Sequence, residues 1–436
     1  MEGRIAVVGG GMLGMTLAYY LAGAGRDVTL FEAEDDLGGL LRNFRVGEIC
    51  WDRYYHVILP TDLHLQRLLD ELGLMHQVQW KRTRTGLLLD GQLYSVSSTA
   101  EFAALPALSL LEKLRLGMHL FYASRVHDWH RLERVTAVEW LRTWSGPRAS
   151  ARFWVPLLRA KLGEEYRCAS AVFIWATMAR LYGARRSGTK REELGYVRGG
   201  YAVVIETMKA ALRARGAKMA CGHQLLHVQP EAQGGFLLQF ANGARHRFQK
   251  VIFTVPNPNV RAICPWLPAG EQNRLAKARY MGIVCVAFLL RRPLAGFYVT
   301  NLADAGFPFT GVIEMSSLVD ANAFGGHAMV YLPKYVSEND SLFQASEVDV
   351  VDDFFDGLRR IFPELTPGDL AGWNVARHRY VFALPTLRYS EIAPPLRTSV
   401  QGLYIVNSAQ IVSTTLNVNE TVRQAQAALP VVLGEQ

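Results

Sequence analysis

The stretch RIAVVGGGMLG, residues 4–14, passes from a short apolar run directly into a glycine-rich turn. Its apolar part predicts a buried strand, and residues 15–25, MTLAYYLAGAG, have the apolar spacing of a helix that ends at glycine. A second apolar run, DVTLFEA at 27–33, predicts another strand that ends at Glu32. Strand, turn, helix, strand and acid in this order predict one unit of a parallel sheet covered by helices.

The three glycines of the turn, Gly9, Gly11 and Gly14, fit the pattern GxGxxG. Gly9 allows a tight turn, Gly11 lets the backbone approach a pyrophosphate, and Gly14 allows the helix to pack closely on the strand. The helix N-terminus offers unpaired N–H groups and the positive end of its dipole to phosphates. Glu32 follows about twenty residues later, where a carboxylate can accept hydrogen bonds from ribose hydroxyls. These residues predict a dinucleotide-binding site.

The next residues, AEDDLGGLLR at 33–42, place Gly38, Gly39 and Arg42 shortly after the acid. An acid followed by two glycines and a basic residue resembles the second signature of the amine oxidase, protoporphyrinogen oxidase and phytoene desaturase superfamily, which UDP-galactopyranose mutase resembles more distantly. The resemblance implies that the dinucleotide is FAD. It also implies that Gly38 and Gly39 run along the pyrophosphate and that Arg42 lies near it.

Four later stretches also resemble this superfamily. DRYYHV at 52–57 resembles the strand that passes near the flavin ring, and YVRGGY at 196–201 resembles the turn at which the chain returns to the FAD domain. KVIFTVP at 250–256 resembles a strand on the adenine side, and GLYIVNSA at 402–409 stands where relatives read Gly-Leu-Tyr-Leu-Ala-Gly-Asp-Ala. The resemblance therefore touches both ends and the middle of the chain.

The C-terminal stretch departs from the superfamily pattern. Ser408 replaces an Asp that hydrogen-bonds the ribityl chain, and Asn407 replaces a Gly that lets the backbone approach the cofactor. Asn419 stands where many relatives have a small residue near the flavin. These replacements predict altered flavin contacts at this end. The predicted cofactor-binding residues are together Gly9, Gly11, Gly14, Glu32, Gly38, Gly39, Arg42, Asn407, Ser408 and Asn419.

Catalytic candidates must come from segments that reach the flavin ring. His56 has a side chain whose pKa suits a proton acceptor at neutral pH, with a histidine bonded to backbone beside the cofactor as the alternative. His378 and Tyr380 precede the C-terminal flavin stretch and are the other candidates, with structural roles as the alternative. The run MGIVCV at 281–286 lacks the Lys that many amine-oxidising relatives have after the Thr-x-Pro segment, which argues against an amine substrate.

Charge and composition bear on partners and location. The formal net charge is +8, and basic residues crowd the region from Arg148 to Arg198. This region predicts attraction to phosphate-bearing substrates or anionic lipid, with peripheral membrane contact as one expectation and a solvated face with internal salt bridges as the other. No nucleic-acid-binding motif accompanies the charge, so we expect no nucleic-acid partner.

The N-terminus carries an acid and runs into a glycine turn, unlike a signal peptide, and no apolar run approaches the roughly 18 residues that span a bilayer. We therefore expect a cytoplasmic protein, or one held peripherally at the inner membrane surface. The 5 cysteines show no CxxC spacing, which predicts reduced thiols and no metal site.

The expected fold class is α/β: a Rossmann-like FAD-binding domain with a parallel sheet, plus a discontinuous α+β substrate domain with a helical insertion. The FAD-binding domain is predicted to comprise residues 1–90, 192–280 and 372–436, and the substrate domain residues 91–191 and 281–371. Residues 101–190 have the apolar spacing of helices, and strand-like runs lie between 283 and 332.

The leading functional hypothesis is an FAD-dependent oxidase or desaturase that transfers hydride from a lipophilic or activated small molecule to flavin N5. One alternative is a non-redox flavoenzyme resembling UDP-galactopyranose mutase that acts on a nucleotide sugar. Another is a degenerate flavin-fold binding subunit, which Asn407 and Ser408 motivate. No motif specifies the substrate, the electron acceptor or the oligomeric state.

Overall fold

The first part of the chain forms the predicted strand–helix–strand unit and continues into short hairpins. The computed structural model describes residues 3–106, 108–184 and 193–434. The elements up to residue 95 are β1 (Ile5–Val8), α1 (Met12–Gly23), β2 (Val28–Phe31), β3 (Asn43–Val46), β4 (Ile49–Asp52), α2 (Leu63–Glu71), β5 (Val78–Arg82), β6 (Thr85–Leu89) and β7 (Gln92–Ser95). Every residue of β1 and β2 is buried, as expected of apolar strands in the middle of a parallel sheet.

A helical segment follows, as the apolar spacing predicts. Its helices are α3 (Thr99–Ala103), α4 (Leu110–Ala123), α5 (Ala137–Ser145), α6 (Pro147–Ala149), α7 (Val155–Leu162) and α8 (Ala171–Ala184). Helices α3, α4 and α5 each begin with a capping box at Ser98, Ser109 or Thr136. The capping side chain accepts the backbone N–H of a glutamate three residues later, and the glutamate side chain accepts the backbone N–H of the capping residue. A core that includes Trp140 and Leu158 holds these helices together.

The third part returns to the parallel sheet. Its elements are β8 (Glu193–Val197), α9 (Tyr201–Ala214), β9 (Lys218–Ala220), β10 (Leu225–Pro230), β11 (Phe236–Phe240), β12 (Arg245–Phe248), β13 (Lys250–Phe253), α10 (Asn257–Ile263) and α11 (Ala269–Lys277). Strands β10, β11 and β12 form a separate antiparallel sheet, and β8 pairs with β5. Gly199 and Gly200 both have positive φ, which glycine tolerates, and turn the chain from β8 into α9.

The last part contains long antiparallel strands and the C-terminal helix. Its elements are β14 (Tyr280–Leu290), β15 (Val299–Leu302), β16 (Gly311–Glu314), β17 (Ala328–Ser337), α12 (Glu347–Ile361), β18 (Leu370–Ala383), α13 (Tyr389–Ile392), β19 (Leu403–Ile405) and α14 (Val418–Leu433). Strands β14, β16 and β17 lie where the sequence predicts strand-like runs. Within the described part of the chain, none of the helices combines the length and apolar character needed to cross a bilayer.

A five-stranded parallel sheet carries the N-terminal glycine motif. Its order is β19-β13-β1-β2-β9, and Val8 pairs with both Phe253 and Phe31. Ile405 pairs with Phe253 in turn. Because the strands are parallel, the residues after their carboxyl ends meet at one edge, and this edge is where ligands bind in open α/β sheets. The glycine turn and Glu32 both lie there.

A seven-stranded mixed sheet forms the second layer. Its order is β18-β14-β17-β16-β15-β6-β7, and all eleven residues of β14 are buried. One face packs on α12 through residues such as Phe354, and the opposite face carries a tyrosine-rich core that includes Tyr298 and Tyr331. The parallel sheet, the mixed sheet and the helical insertion confirm the predicted fold class.

Sheet membership departs from the predicted domain boundaries in two places. Strand β6 lies before residue 90, but it pairs in parallel with β15 of the seven-stranded sheet. Strand β18 reaches Ala383, beyond the predicted boundary at 372, and pairs with β14 of the same sheet. Both pairings join segments far apart in sequence, which local apolar patterns do not reveal. The division into an FAD-binding and a substrate unit stays a prediction, with those two boundaries corrected.

Candidate functional site

Packing explains two glycines of the N-terminal turn, and the third faces open space. Gly9 has φ +113, and a Cβ on it would lie 2.7 Å from the Thr254 hydroxyl. A Cβ on Gly14 would collide with the carbonyl oxygen of Gly9. A Cβ on Gly11 would meet no atom within 4 Å, although Gly11 stands immediately before α1. The space above Gly11 at this helix N-terminus suits a pyrophosphate.

The second glycine pair closes onto the same place. The Gly38 N–H donates to the Gly10 carbonyl at 2.8 Å, and Gly38 forms a parallel bridge with Gly11. Gly38 and Gly39 have φ of +120 and +54, and a Cβ on Gly39 would lie 3.1 Å from the Gly11 Cα. The sequence separates these two glycine motifs, and the structure brings them into contact.

Glu32 orders the loop and borders a cavity. Its carboxylate accepts the Gly10 N–H at 2.7 Å and the Glu34 N–H at 3.0 Å. The cavity beside it has a volume of about 250 Å³ and walls that include Phe31, Leu225 and other apolar side chains. An ionised carboxylate has further lone pairs after two hydrogen bonds, so Glu32 can still accept ribose hydroxyls. The apolar walls suit an adenine base.

Arg42 is held by neighbouring acids. Its guanidinium lies 3.3 Å from a Glu34 carboxylate oxygen and 2.5 Å from one of Asp35, and only 15% of its side chain is exposed. Its backbone carbonyl accepts the Arg53 N–H at 2.9 Å, which joins the glycine-pair loop to the segment that follows β4. Arg42 therefore lies beside the glycine pair with its charge already compensated.

Asp52 anchors the segment that the resemblance places near the flavin. Its carboxylate accepts the Tyr201 N–H at 2.9 Å, and a Cβ on Gly200 would lie 2.9 Å from the same oxygen. Burial raises the pKa of Asp52 to about 7. The end of β4 and the start of α9 are thus fixed to each other, and the glycine at 200 is required by this close approach.

His56 and Tyr201 leave buried polar atoms without partners. The His56 Nδ1 and the Tyr201 hydroxyl have no hydrogen-bond partner among the described residues, and their rings lie 5.4 Å apart. Burial lowers the pKa of His56 to about 4, so the imidazole is neutral near neutral pH. Unpaired buried polar atoms are rare in folded proteins. A bound group beside these two residues would satisfy them.

The C-terminal stretch directs Asn407 inward. Its amide donates to the Val255 carbonyl and to the Asn257 side chain, both at 2.9 Å, and accepts the Ala409 N–H at 3.0 Å. Its φ of −144 lies in the extended region, so a glycine is not needed there. Ser408 follows, partly buried, and its hydroxyl has no partner in the described part of the chain. Asn407 fixes the turn, and Ser408 is the residue with a free polar group.

Asn419 caps a neighbouring helix. Its side-chain oxygen accepts the backbone N–H groups of His64 and Leu65 at 2.9 and 3.1 Å, at the start of α2. Its amide donates to Glu420 at 3.1 Å. The residue predicted to contact flavin thus spends both polar atoms inside the protein, linking α2 to the start of α14.

The other two catalytic candidates lie on β18. His378 is exposed, and Tyr380 packs edge-on against Tyr280 with ring centroids 5.6 Å apart. Tyr380 belongs to the small cluster that also contains Ala409, so it lies beside the C-terminal stretch. Among the residues that the structure describes, no hydrogen bond or ring contact joins His56, His378 and Tyr380 to one another.

A second cavity of about 500 Å³ lies between the β3–β4 hairpin and β18. Arg45, Arg53 and Arg377 line it together with Asn43 and Asn374, and no acidic side chain is in its lining. The guanidinium of Arg377 donates to the Leu342 and Ala345 carbonyls and lies 3.5 Å from a Glu347 carboxylate, so its charge is compensated. The lining favours an anionic occupant.

Most of the predicted basic surface is ion-paired. Arginines 148, 152, 159, 167 and 180 each lie within 4.0 Å of a carboxylate. Arginines 185, 186 and 191 and lysine 190 lie outside the described residues. The described part of this basic region therefore fits a solvated face with salt bridges better than a basic patch without counter-ions.

A model of a known protein family matches almost the whole chain. The model of the flavin-containing amine oxidoreductases matches residues 13–427. This chain belongs to that family. The predicted superfamily is confirmed, and the family implies a flavin cofactor. That the glycine turn, Glu32 and the glycine pair bind this cofactor stays a prediction.

Relatives and solved structures agree with this assignment. Protoporphyrinogen oxidase 2 of Arabidopsis thaliana is 38% identical over 77 residues, which span 18% of this chain and 15% of the plant protein. A protein of Exiguobacterium sp. 255-15, assigned provisionally as a protoporphyrinogen oxidase, has a TM-score of 0.78 and 17% identity, with 100% of each chain covered. Reduced UDP-galactopyranose mutase gives a TM-score of 0.77 and 17% identity over 100% of this chain and 96% of the mutase. These structures share the fold.

Sequence reasoning missed the polar groups that face the helical insertion. The Tyr55 and Tyr335 hydroxyls lie 2.9 Å apart, and the Arg180 guanidinium lies 3.0 Å from Asp62. Lys161 lies over the Tyr335 ring, 5.4 Å from its centroid. The residues of the two hydrogen-bonded pairs lie 280 and 118 positions apart in the sequence. No local motif therefore predicts these contacts.

Proposed function

We propose that this family member binds FAD and oxidises a lipophilic or activated small molecule, with hydride passing from the substrate to flavin N5. The open space at Gly11, closed on its far side by Gly38 and Gly39, is the observation that carries the proposal. Gly9 and Gly14 pack against protein atoms, whereas a Cβ on Gly11 would meet none within 4 Å. The apolar cavity beside Glu32 supports a dinucleotide with an adenine end.

The residues present fit such a cofactor. Gly11 and the start of α1 would hold the pyrophosphate, Glu32 the ribose, and the free Ser408 hydroxyl the ribityl chain. Bound flavin supplies a two-electron acceptor. The protein supplies the rest: it positions the substrate and excludes water from the site.

His56 is the residue best placed to handle a proton. Because burial lowers its pKa to about 4, its ring is neutral near pH 7 and one nitrogen is free to accept a hydrogen bond or a proton. Its Nδ1 is buried and has no hydrogen-bond partner among the described residues, so it is the nitrogen that a bound group could contact. The buried tyrosines Tyr54 and Tyr331 line the adjoining core and keep water out.

An anaerobic titration tests the reaction class. The purified holoprotein is mixed with an isoprenoid, a tetrapyrrole or an amino acid in the absence of oxygen, and flavin absorption is followed. Bleaching by a lipophilic candidate and none by the amino acid is the expected result. Failure of every lipophilic candidate to bleach a flavin that dithionite does reduce would refute the proposed substrate class.

The arginine-lined cavity favours one alternative, a non-redox enzyme that acts on a nucleotide sugar. Arg45 and Arg53 could bind a diphosphate in a volume of about 500 Å³. The discriminating assay incubates dithionite-reduced and oxidised enzyme with UDP-galactopyranose. Isomerised product formed only by the reduced enzyme, with no net electron transfer, would establish the alternative and exclude the oxidase.

We also propose peripheral membrane contact, through the exposed face of α4 in place of the basic stretch. Six large apolar side chains of this helix are exposed: Leu110, Leu111, Leu114, Met118, Phe121 and Tyr122, the first at 83%. They follow helical spacing along one stripe, and Tyr122 stacks on the exposed Trp144 with centroids 3.8 Å apart. Lys113, Arg115 and Arg125 flank the stripe. Apolar stripes with basic flanks bind in the plane of anionic bilayers.

Vesicle flotation tests this contact. Replacing Leu111 and Leu114 by Ser removes two apolar contacts worth about 1.5–3 kcal/mol each when fully buried. We expect at least tenfold weaker binding to phosphatidylglycerol vesicles. The matched control replaces Val348, which is 59% exposed on α12, by Ser and should bind as the wild type does. Equal binding by all three proteins would refute the contact.

A further inference from the structure

The helical insertion places a lysine without a counter-ion at the edge of the tyrosine-rich core. Lys161, near the end of α7, lies with its ammonium 5.4 Å from the centroid of the Tyr335 ring. No carboxylate of the described ranges lies within 4.0 Å of this ammonium. Burial, with the charge of Arg180 added, lowers the pKa of Lys161. Among the residues that the structure describes, the cation–π contact with Tyr335 is the favourable interaction that offsets part of its desolvation.

The charges around Lys161 do not balance. Arg180 donates to the Oδ2 atom of Asp62 at 3.0 Å, and the same oxygen accepts the Leu59 N–H at 2.9 Å, so Asp62 is the counter-ion of Arg180. Glu420 is close enough to raise the pKa of Asp62, but it is paired with Arg423 at 2.7 Å. Within the described ranges, Arg180 and Arg423 each have a carboxylate partner within 4.0 Å, whereas Lys161, which is partly buried, has none.

This place adjoins the segment that the family resemblance sets beside the flavin. The Tyr335 hydroxyl lies 2.9 Å from that of Tyr55, the residue before His56. The Tyr201 hydroxyl, near enough to Arg180 and Asp62 for their charges to affect its pKa, is buried without a partner. A ligand lying over Tyr55 and His56 would have Lys161 and Arg180 within reach on the side of the helical insertion.

We propose that Lys161, with Arg180 beside it, binds an anionic group of the substrate, a carboxylate or a phosphate. A charge that is taken out of water without a counter-ion destabilises the fold, and an anionic partner offsets part of that penalty. The inference rests on the proposed function, because the anionic group would belong to a substrate held beside His56 and the flavin. It narrows the substrate to an anion with an apolar body.

Probe binding tests the site without turnover. Benzoate and inorganic phosphate are titrated separately into the holoprotein by calorimetry, so that the two arms distinguish a carboxylate from a phosphate. We expect saturable binding of one probe, at least tenfold weaker in Lys161→Met and retained in Lys161→Arg. The control, Lys334→Met, removes the partly buried lysine next to Tyr335, which points to the other face of the sheet, and should bind as the wild type does.

A second measurement guards against misfolding. Without probe, Lys161→Met should unfold at a higher temperature than the wild type, because it removes an unpaired buried charge. Wild-type affinity in Lys161→Met, an equal loss in Lys334→Met, or no binding of either probe by the wild type would each overturn the site. Flavin content is recorded in parallel. Probe binding to a protein without flavin would leave this site standing and remove the proposed function, whereas bleaching by neutral substrates alone would do the reverse.

Discussion

The contrast between Gly11 and Gly14 gives the sharpest prediction. Gly11 has φ −70 and ψ 177, which alanine adopts freely, and a Cβ there meets nothing within 4 Å. A Cβ on Gly14 collides with the Gly9 carbonyl oxygen and would lie 2.8 Å from the Thr254 hydroxyl. The same chemical change, Gly→Ala, should therefore damage the cofactor site at one position and the fold at the other.

The magnitudes follow from the contacts. Gly11→Ala should leave the apoprotein as stable as the wild type or raise its free energy of unfolding by about 0.4–1 kcal/mol. A methyl in the pyrophosphate space displaces one charge-assisted hydrogen bond, worth about 1.5–3 kcal/mol, and weakens FAD binding about tenfold to a hundredfold. Gly14→Ala should lower the free energy of unfolding by about 1–3 kcal/mol through overpacking.

The assay pairs two measurements on each apoprotein. Quenching of FAD fluorescence gives the dissociation constant, and urea unfolding gives stability. If Gly11→Ala binds FAD as tightly as the wild type, the pyrophosphate does not lie over Gly11. If Gly11→Ala unfolds as readily as Gly14→Ala, the inference that a methyl group fits at Gly11 without a clash is wrong. Either result refutes the reasoning.

Three further substitutions test buried polar groups, one of which, His119, lies on α4 with its Nδ1 atom 2.8 Å from the Ser145 hydroxyl. Burial raises the Asp52 pKa to about 7 from 3.8, so the native state keeps a proton that the unfolded chain releases, and wild-type stability falls as pH rises from about 4 to 7. Asp52→Asn keeps an oxygen that accepts the Tyr201 N–H, and its free energy of unfolding relative to the wild type should rise by up to about 4 kcal/mol over that range. If the difference in urea midpoint between the two proteins is the same at pH 5 and pH 8, the prediction is contradicted. Burial lowers the pKa of His119 to about 4 from 6.5, so its stability contribution is present above pH 6.5 and is lost as pH falls toward 4, by up to about 3 kcal/mol. His119→Gln should reduce the drop in Tm between pH 7 and pH 4.5, and an unchanged drop would argue against a buried neutral ring. Asn419→Ala removes the cap of α2 and should lower the free energy of unfolding by about 0.5–2 kcal/mol with FAD affinity unchanged; weaker FAD binding at unchanged stability would return Asn419 to the cofactor site.

Local sequence was enough for the cofactor-binding unit. The apolar run before Gly9, the helical spacing after Gly14 and the acid at 32 depend on residues within one strand–helix–strand stretch. Periodicity and glycine geometry act over that range, so the parallel unit and its glycine turn could be predicted. The contact of Gly38 with Gly11 was also within reach, because the resemblance placed both beside one pyrophosphate.

Long-range contacts set the limit of prediction. The amide of Asn407 reaches Asn257, 150 positions away. Asn419 caps α2, whose first residues lie about 355 positions earlier. The sequence reveals neither contact, and a flavin contact of either residue stays a prediction. The unpaired charge of Lys161 arises only when two helices pack on the tyrosine-rich core. Polar side chains take the partners that tertiary packing brings near, and neither spacing nor composition records them.

The visible absorption spectrum of the purified protein, with identification of the cofactor released on denaturation, tests the central claim most directly. The account predicts flavin bands and the release of about one FAD per chain, since one glycine turn, one acid and one glycine pair form one site. A colourless protein that also fails to take up added FAD would contradict it. The fold would then serve as a binding subunit, and the inward turn of Asn407 would be the feature to explain.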